Sequence, residues 1–435
     1  MDSQQIAALV REALHAKVVE ASSHIQSLWS GYGEIWRVQV DGKAMVAKVV
    51  NATRGDDCDI GHQRKLHSYQ VEYDWYTKYA RKCPCRIPKP VYLQGSPSDQ
   101  AWLFVLEDLS AAGFPERRKT PSVEEIQHSL HWLATFHAHY LGREPNSLWP
   151  QGSYWRLETR EKEWQSMKDL QLKSAASLID ASLSAAHYQS LIHGDAKLAN
   201  ICFGSGGAAA GQQVAFVDFQ YVGGGIGVQD VAYLLSYCYA ERDLSYHAND
   251  MLNFYWNALA QQLRQRQVSD IRIACVLSEW RYLFPLAFAD YLRFLNGWAP
   301  ERIGRKDSYP AQMRALALER LERLDIEKVP PRCTVQEPHF SNIVRGRKRV
   351  EGRVRKEPYA LWKPGQVVQW TSPTGEDVWT STVVRITEYP SFESMLRAEG
   401  LPRVLPDVMT IEDGLAIYRQ FYPPQQESKL GVLAL

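Results

Sequence analysis

Two polar loops, each following a short apolar strand, constrain this chain most strongly. The first loop reads HGDAKLAN over residues 193–200 and follows the strand Ser190–Ile192. The second begins at Asp218 and follows the strand Val214–Val217. The connecting segment 201–213 has the pattern of a hairpin, which would bring Asn200 and Asp218 together.

These loops contain the side chains that phosphoryl transfer requires. That reaction depends on bound metal ions, positioned donors and a group that orients the attacking hydroxyl. Asp195 is the candidate base, and Lys197 is placed to reach the γ-phosphate of ATP. Asn200 and Asp218 offer the oxygen ligands that Mg²⁺ prefers. The sequence therefore predicts an ATP- and Mg²⁺-dependent phosphotransferase with Asp195, Lys197 and Asn200 as catalytic residues.

The first hundred residues are rich in predicted strands. Ser3 could cap a helix with Ile6, Val10, Leu14 and Val18 on one face. The runs 36–40 and 44–50 flank an Asp41-Gly42 turn and predict a hairpin. A helix over 61–82 and strands at 91–94 and 102–106 complete this region.

The rest of the chain is predicted to be mostly helical up to Pro330-Pro331, after which the sequence pattern changes to short strands and turns. Ser122 and Glu125 form a capping box for a helix that ends near Tyr140, and helical patterns recur at 228–239, 246–266 and 270–296. We expect an α+β protein with a β-rich N-lobe (1–109), an α-rich C-lobe (110–329) and a further domain (336–435). Gly204–Gly211 has the composition of a flexible loop.

Composition argues against membrane and bulk electrostatic partners. The formal net charge is +1, and no apolar run approaches the ~20 residues that span a bilayer. The N-terminus lacks the pattern of a signal peptide. The seven cysteines are odd in number and scattered, which favours reduced thiols over a disulfide framework. A cytoplasmic location is expected.

The two loops resemble those of the aminoglycoside phosphotransferase and choline kinase superfamily, which has a protein-kinase-like fold. Together with LEDLS at 106–110, residues 193–203 look most like its ecdysteroid-kinase-like (CHK-kinase) branch. The resemblance covers about Ser27 to Leu324 and implies an ATP- and Mg²⁺-dependent kinase of a small-molecule alcohol. Protein kinases carry arginine where Gly194 stands, which argues against a protein substrate.

The resemblance also implies the rest of a nucleotide site. Lys48 would clamp the phosphates, paired with Glu72, while Lys43 is a competing lysine in a turn. Gly31 and Gly33 lie where a phosphate-covering loop belongs, although a third glycine is missing. Segment 103–109, including Glu107 and Asp108, corresponds to the hinge whose backbone binds adenine. Asp230 is expected to brace the catalytic loop, and His137 to be a core histidine.

The acceptor region is expected in helices after Asp218. Segment 236–300 holds six acidic and six basic residues, so it shows no surplus of carboxylates for a polycationic aminoglycoside. It also holds 13 aromatic residues among 65, against 11% for the whole chain. Core packing explains most aromatic residues in helical lobes, while stacking against a flat or apolar alcohol is the alternative.

The C-terminal region contains a dense basic segment, with seven cations between Arg345 and Lys356. The spacing G-x-K-x-x-E-x-R over 346–353 resembles the signature of ASCH domains, which are PUA-like β-barrels. A strand expected over Thr382–Ile386 continues the resemblance. This resemblance implies a cleft lined by Lys348, Glu351 and Arg353 that binds RNA or a modified nucleoside. Some relatives hydrolyse acylated cytidine with a Lys/Thr/Glu set, but here Glu351 stands at the threonine position, which favours binding.

Three functions remain open from the sequence. The first is a small-molecule kinase with an appended ASCH module. The second is an RNA-binding protein whose kinase-like part senses nucleotide, although its full catalytic set argues against this. The third is a kinase of nucleosides or RNA ends, and only the fusion of the two regions motivates it.

Overall fold

The structure is a computed structural model that describes residues 1–52, 59–205, 213–239, 241–303, 308–323 and 330–435. It divides into two units, one of residues 1–266 and 283–316 and the other of residues 267–282 and 317–435. Most of the glycine-rich loop predicted at 204–211 lies outside the described residues. The same is true of the segment just before Pro330.

The first unit begins with a five-stranded antiparallel sheet in the order β1-β2-β3-β5-β4. Its strands are β1 (Val19–Ser27), β2 (Gly33–Val40), β3 (Lys43–Asn51), β4 (Pro90–Ser96) and β5 (Ala101–Glu107). The β2–β3 hairpin turns at Asp41 and Gly42, whose φ angles are 46° and 80°. Asp-Gly suits this turn because both central residues need positive φ. The predicted hairpin is confirmed.

Helix α1 (Ser3–Leu14) covers one face of this sheet, with Ile6 and Val10 fully buried. Its N-cap is Asp2 and not Ser3, so that part of the prediction is wrong. The Asp2 carboxylate accepts from the Gln5 amide while the Gln5 side chain accepts from Asp2, a reciprocal cap. Val18 lies beyond the helix and is exposed, because the chain has already turned toward β1.

Helix α2 (Ile60–Asp74) packs against β4 and β5. A π-helical turn (Trp75–Tyr79) and a 3-10 turn (Ala80–Lys82) extend it to the predicted end. Its buried residues include Tyr69 and Glu72, which lie one turn apart. This helix therefore presents polar groups toward the sheet, a feature that packing alone does not explain.

The remainder of the first unit is helical, apart from four short strands. Helix α3 (Val123–Tyr140) begins with the predicted capping box of Ser122 and Glu125. The other helices are α4 (Glu161–Gln165), α5 (Leu170–Ser184), α6 (Val228–Cys238), α7 (Glu241–Gln265), α8 (Asp270–Trp298), which extends into the second unit, and α9 (Tyr309–Arg323), which spans the boundary between the units. Strand β6 (Ser190–Ile192) pairs with β9 (Gly223–Gly225), and β7 (Ile201–Phe203) with β8 (Val214–Phe216), both antiparallel. This layout confirms the predicted bilobal kinase-like fold.

The second unit contains two three-stranded sheets and short helices. One sheet has the order β10 (Arg332–Thr334), β12 (Val367–Thr371), β13 (Val378–Thr382); the other β11 (Gly352–Val354), β15 (Val432–Ala434), β14 (Thr387–Tyr389). The helices are α10 (His339–Val344), α11 (Phe392–Glu399), α12 (Leu401–Val404), α13 (Ile411–Arg419) and α14 (Pro424–Leu430). Phe392 stacks on Tyr418 in its core at 4.0 Å.

One predicted strand of the second unit, Thr382–Ile386, is not formed. Residues 383–386 instead connect β13 in one sheet to β14 in the other. Val384 is 85% exposed there, and the Arg385 side chain leaves to pair with Glu399. The β-branched residues of this segment therefore belong to a connection between two sheets and not to a strand. Among the helices that the structure describes, none is long and apolar enough to cross a membrane.

Candidate active site

The catalytic loop is held in place by a buried aspartate on α6. Asp230 accepts hydrogen bonds from the backbone N–H groups of His193 (2.6 Å) and Gly194 (2.9 Å). His137 Nε2 lies 3.0 Å from the same carboxylate, and its Nδ1 lies 2.8 Å from the Tyr255 hydroxyl. Asp230 and His137 therefore have the structural roles expected from the sequence.

Gly194 is required by the geometry of this loop. Its φ is +77°, and a Cβ atom there would lie 2.1 Å from the carbonyl oxygen of Tyr221. Only glycine accommodates both constraints. This close approach packs the loop against the segment that follows Asp218, and His193 Nε2 donates to the Val217 carbonyl across the same contact.

Asp195 lies within this loop, and one of its two carboxylate oxygens has no hydrogen-bond partner. Its Oδ2 accepts from Lys197 Nζ (2.9 Å) and Asn200 Nδ2 (3.0 Å). Its Oδ1 is buried and has no hydrogen-bond partner. Burial raises the pKa of the Asp195 carboxyl above its ordinary value, with Lys197 acting in the opposite direction. The structure thus brings Asp195, Lys197 and Asn200 together as the sequence suggested.

Asp218 faces the same space from the β7–β8 hairpin. The Val217 N–H donates to the Asn200 carbonyl at 3.0 Å, which fixes the two loops together. Asp218 has a φ of +69°, a left-handed conformation that a non-glycine residue adopts at a cost. Its Oδ1 is also buried without a partner. Burial opposes ionisation, but the nearby lysines, Lys48 above all, keep the pKa of Asp218 below its ordinary value.

Lys48 and Glu72 form a buried ion pair between β3 and α2. Lys48 Nζ lies 2.5 Å from Glu72 Oε2, and both side chains are less than a tenth exposed. Burial raises the pKa of Glu72, while Lys48 opposes the shift. The competing Lys43 is exposed at the start of β3. Lys48 is therefore the strand lysine that faces the cavity described below.

The other predicted nucleotide residues have structural contacts of their own. A Cβ on Gly33 would lie 1.9 Å from the Val49 carbonyl, so strand pairing demands this glycine. Gly31 has a φ of +71° in the turn before β2. The Glu107 side chain pairs with Arg86 (2.8 Å), and Asp108 pairs with Arg37 (2.5 Å). The Glu107 N–H donates to the Lys89 carbonyl, so it is not available to adenine.

A cavity of about 450 Å³ joins these groups. Its lining residues include Lys48, Glu72, Asp195, Asn200, Asp218 and the segment 106–110. The Tyr154 ring and the Trp29 side chain also line it. Carboxylates and lysines therefore converge in one enclosed space between the sheet and the helical lobe.

Lys65 is a lining residue that the sequence reasoning missed. Its Nζ lies 3.3 Å from Gln220 Oε1 and within 6 Å of the rings of Tyr69 and Tyr221. Burial lowers the pKa of Lys65 to about 8, with Asp218 opposing the shift. Lys65 precedes Glu72 by seven residues, two helical turns, so the two share a face of α2. That spacing was the available signal.

The donor set fits a magnesium ion that is shared with phosphate oxygens. Asn200 Nδ2 donates to the backbone and side chain of Asp195, which leaves the amide oxygen to face a cation. The buried Oδ1 atom of Asp218 supplies a further hard oxygen, while that of Asp195 stays open to an acceptor hydroxyl. In the part of the chain that the structure describes, no group of three His, Cys, Asp or Glu side chains could hold a metal unaided. Phosphates and water would complete the coordination.

Such a lysine-rich cavity between a small antiparallel sheet and a helical lobe defines a phosphotransferase with the protein-kinase-like fold. Family comparison narrows the class: residues 151–268 match the ecdysteroid kinase-like family, and residues 334–435 match the ASCH domain. The chain therefore contains one region similar to the ecdysteroid kinase-like family and another similar to the ASCH domain. The resemblances stated from the sequence are confirmed.

Solved structures include relatives of both regions. The microcompartment-associated aminopropanol kinase is 16% identical, covering 73% of this chain and 96% of that one (TM-score 0.43). Choline kinase LicA from Streptococcus pneumoniae is 13% identical, covering 73% and 98% (TM-score 0.40). A Pyrococcus furiosus protein solved by NMR is 37% identical, covering 24% and 93% (TM-score 0.22). A search of curated proteins finds no match.

The three residues expected in the ASCH cleft form one buried cluster. Glu351 lies between two cations, with Oε2 3.0 Å from Lys348 Nζ and Oε1 2.9 Å from Arg353 Nε. Burial would raise the pKa of Glu351, but Lys348 and Arg353 hold it below its ordinary value. Cavities of about 410 and 170 Å³ adjoin the cluster, and Lys348 and Glu351 line both.

The dense basic segment is partly neutralised in the folded protein, where three carboxylates pair with four of its seven cations. Arg347 pairs with Asp407 (2.7 Å) and Arg355 with Glu388 (2.6 Å). Lys348 and Arg353 share Glu351, as described above. The segment therefore offers fewer unpaired cations to a phosphate backbone than its seven basic residues suggested.

Proposed function

We propose that this chain is a kinase that transfers the γ-phosphoryl group of ATP to the hydroxyl of a small molecule, with Mg²⁺. The observation that carries the proposal is the pair of buried, unpartnered carboxylate oxygens on Asp195 and Asp218, set among lysines. A buried polar atom without a partner is costly in a folded protein. A metal-nucleotide complex and an acceptor hydroxyl would satisfy both oxygens.

Each residue then has a defined task. Lys48, oriented by Glu72, binds phosphate oxygens, and Lys197 neutralises charge on the transferred group. Asp195 Oδ1 accepts the hydrogen of the acceptor hydroxyl and takes its proton as the new O–P bond forms and the bond to the ADP leaving group breaks. Burial favours the protonated Asp195 carboxyl that results. Asn200 and Asp218 would hold the magnesium ion, which stabilises the phosphate charge when bound.

The same proposal assigns the surrounding elements. Gly31, in the turn before β2, and Gly33, the first residue of β2, belong to the segment that covers the phosphates. Residues 106–110, with Glu107 and Asp108 held by arginines, form the wall against which adenine packs. We propose lobes at 1–109 and 110–329 and a separate module at 336–435.

An ATP-consumption screen over a diverse library of alcohols and nucleosides tests this function. We expect turnover with some acceptor, and Asp195→Ala should reduce it by about 10³-fold or more. Asp180→Asn is the matched control, because it removes a carboxylate of the same unit that does not line the cavity. Equal ATP consumption by the wild type and Asp195→Ala would exclude the proposal.

We propose as a second activity that the ASCH module binds RNA or a modified nucleoside beside Lys348, Glu351 and Arg353. The two adjoining cavities favour this role. The alternatives, a nucleotide-sensing RNA-binding protein and a kinase of nucleosides or RNA ends, make different predictions. Asp195→Ala leaves RNA binding intact in the first, while labelled phosphate reaches RNA or nucleosides in the second.

Binding of labelled RNA at two salt concentrations tests the module. Phosphate contacts should weaken with salt, and Lys348→Ala with Arg353→Ala should abolish binding. Arg347→Ala with Arg355→Ala is the control, since both are paired at the surface. Binding that neither salt nor the double variant alters would contradict the assignment.

A further inference from the structure

The acceptor side of Asp195 is bordered by an aromatic ring anchored to the catalytic loop. The Tyr154 N–H donates to the Gly194 carbonyl at 2.8 Å. Lys197 Nζ lies 5.6 Å from the centroid of the Tyr154 ring, and Lys197 itself contacts Asp195. Arg160 stacks on the same ring at 4.0 Å. The Tyr154 ring, which lines the cavity beside Asp195, therefore forms the first part of an aromatic wall and lies between the cations Lys197 and Arg160.

A second part of the wall comes from the C-terminal end of α8. Phe294 packs edge-on against Tyr154 at 5.7 Å, and Trp298 stacks on Phe294 at 5.3 Å. Phe294 is buried, but Trp298 is 48% exposed. An indole that is supported on one side and open on the other offers a flat surface to a ligand.

Arg302 ends this wall. Its guanidinium carbon lies 5.9 Å from the Trp298 ring and 5.2 Å from the Tyr237 ring. The side chain is largely exposed, and in the described part of the chain it forms no ion pair with a carboxylate. Arg302 also hydrogen-bonds the Tyr237 side chain, and its other guanidinium N–H groups are free to bind an anion.

Helix α6 contributes the last part of this aromatic wall and connects it to the catalytic loop. Tyr233 packs against Tyr237 at 5.0 Å, and α6 contacts the turn Leu198–Asn200. Asp195 is close enough to act on the Tyr233 phenol, whose pKa burial raises and Asp195 raises further. Rings therefore run from Tyr154 to Trp298 and back from Tyr237 to Tyr233, with Asp195 at one end and Arg302 at the other.

We infer that the acceptor is a planar aromatic alcohol with an acidic group, whose rings stack on Trp298 and whose carboxylate binds Arg302. This inference rests on the proposed kinase function and names its substrate class. The transferred group joins the alcohol oxygen at Asp195, at the opposite end from Arg302. A polycation is disfavoured because Arg302 borders this wall, whereas Lys197 and Arg160 are already paired with Asp195 and Glu163.

Matched trios of planar alcohols test the inference. Each trio has one scaffold, such as hydroxymethyl-benzene or hydroxymethyl-naphthalene, bearing a carboxylate, its methyl ester or an aminomethyl group. We expect kcat/KM for the acid to exceed that for the ester by roughly tenfold or more, the scale of one charge-assisted hydrogen bond. Arg302→Gln should bring this ratio to about one, while Arg302→Lys retains part of it. Trp298→Ala should raise KM for acid and ester alike.

Arg143→Gln is the matched control, since Arg143 is an exposed arginine of the same unit outside this wall. A preference for the ester or amine, or an acid preference that survives Arg302→Gln, would overturn the inference. Turnover of other alcohols without turnover of any acid in the trios would also overturn it and leave the kinase function standing. If no alcohol is phosphorylated at all, the kinase function fails first and the inference with it.

Discussion

Both units of this protein contain buried carboxylates beside cations, but the units differ in how many of the carboxylate oxygens have partners. In the first unit, Asp195 and Asp218 each keep one buried oxygen without a partner. In the second unit, both oxygens of Glu351 are ion-paired, one with Lys348 and one with Arg353. The carboxylates of the kinase cleft are therefore incompletely paired, whereas the Glu351 carboxylate is fully paired within a cluster of two cations and one anion.

The difference indicates where a ligand must enter. An unsatisfied buried oxygen costs about 1–3 kcal/mol, and two of them facing one cavity are explained by a ligand that compensates them. The Glu351 carboxylate is paired within the chain whether or not a ligand binds beside it, and removing one member of the cluster leaves uncompensated charge. We therefore expect substitutions in the cleft to affect activity most, and substitutions in the cluster to affect stability most.

Asp195→Asn should have the largest effect of the substitutions considered, which is a loss of catalytic rate. Loss of the proton acceptor should lower turnover by about 10³- to 10⁴-fold. Burial raises the pKa of Asp195 in the folded state, so ionised Asp195 is disfavoured there, and the neutral amide should leave thermal stability unchanged or slightly higher. Steady-state kinetics and thermal melts measure the two effects on one preparation. An inactive variant that melts far below the wild type would show that Asp195 stabilises the loop.

Glu351→Gln should show the opposite pattern. It leaves the buried Lys348 and Arg353 without their shared partner, which costs roughly 3–5 kcal/mol in comparable buried pairs. Denaturant unfolding of the full chain measures this, with kinase activity as the second readout. Glu388→Gln is the control, because its pair with Arg355 is exposed and should contribute under about 1 kcal/mol. Comparable losses in the two variants would show that the buried Glu351 cluster contributes no more to stability than an exposed ion pair.

The same cluster predicts an acid limit for the second unit. The folded state lowers the pKa of Glu351, so its stabilising contribution is present above the ordinary value near 4.5. That contribution is lost as the pH falls through the lower, folded value. We expect unfolding of the second unit, followed by fluorescence between pH 6 and 3, to lose this pH dependence in Glu351→Gln. A dependence retained in the variant would assign the acid limit to other carboxylates.

Features set by neighbouring residues could be predicted from the sequence. The Asp41-Gly42 turn, the cap at Ser122 and the strands beside Asp195 and Asp218 depend on chemistry within a few positions. The catalytic loops were found for the same reason, because their residues stand at short, fixed spacings. The Ser3 cap failed by one position, since Asp2 competes for the same amide donors.

Features that depend on residues far away in the sequence could not be predicted from local patterns. Lys65 faces the cavity because Gln220, 155 residues away, receives its ammonium group. The basic segment looked free because Asp407 and Glu388, which neutralise Arg347 and Arg355, follow it at a distance. Residues 383–386 have a strand-like pattern, yet they cross between two sheets. Local patterns do not encode such pairings.

The smallest expected effect concerns Lys65 and tests whether this lysine of the kinase cleft binds a phosphate group of ATP. Its pKa of about 8 means that it is charged at pH 7 and loses its charge as the pH rises through 8. If it binds phosphate, ATP affinity should fall by up to about tenfold between pH 7 and 9, as one charged contact is lost. Lys65→Met should bind ATP weakly and without this dependence, whereas Lys65→Arg should stay charged throughout.

Stability should change in the opposite direction over a higher range. Since the folded pKa lies below the ordinary 10.5, the unfolded chain binds more protons between pH 8 and 10.5, and the contribution of Lys65 to stability rises with pH there. Wild-type and Lys65→Met proteins should therefore differ in both slopes, measured by nucleotide titration and by thermal melts. Parallel pH profiles for ATP binding would remove Lys65 from the phosphate site and leave Lys48 and Lys197 as its cations. Opposed slopes in the two measurements would show that the cleft buries a charge at a cost to folding in order to bind a phosphate.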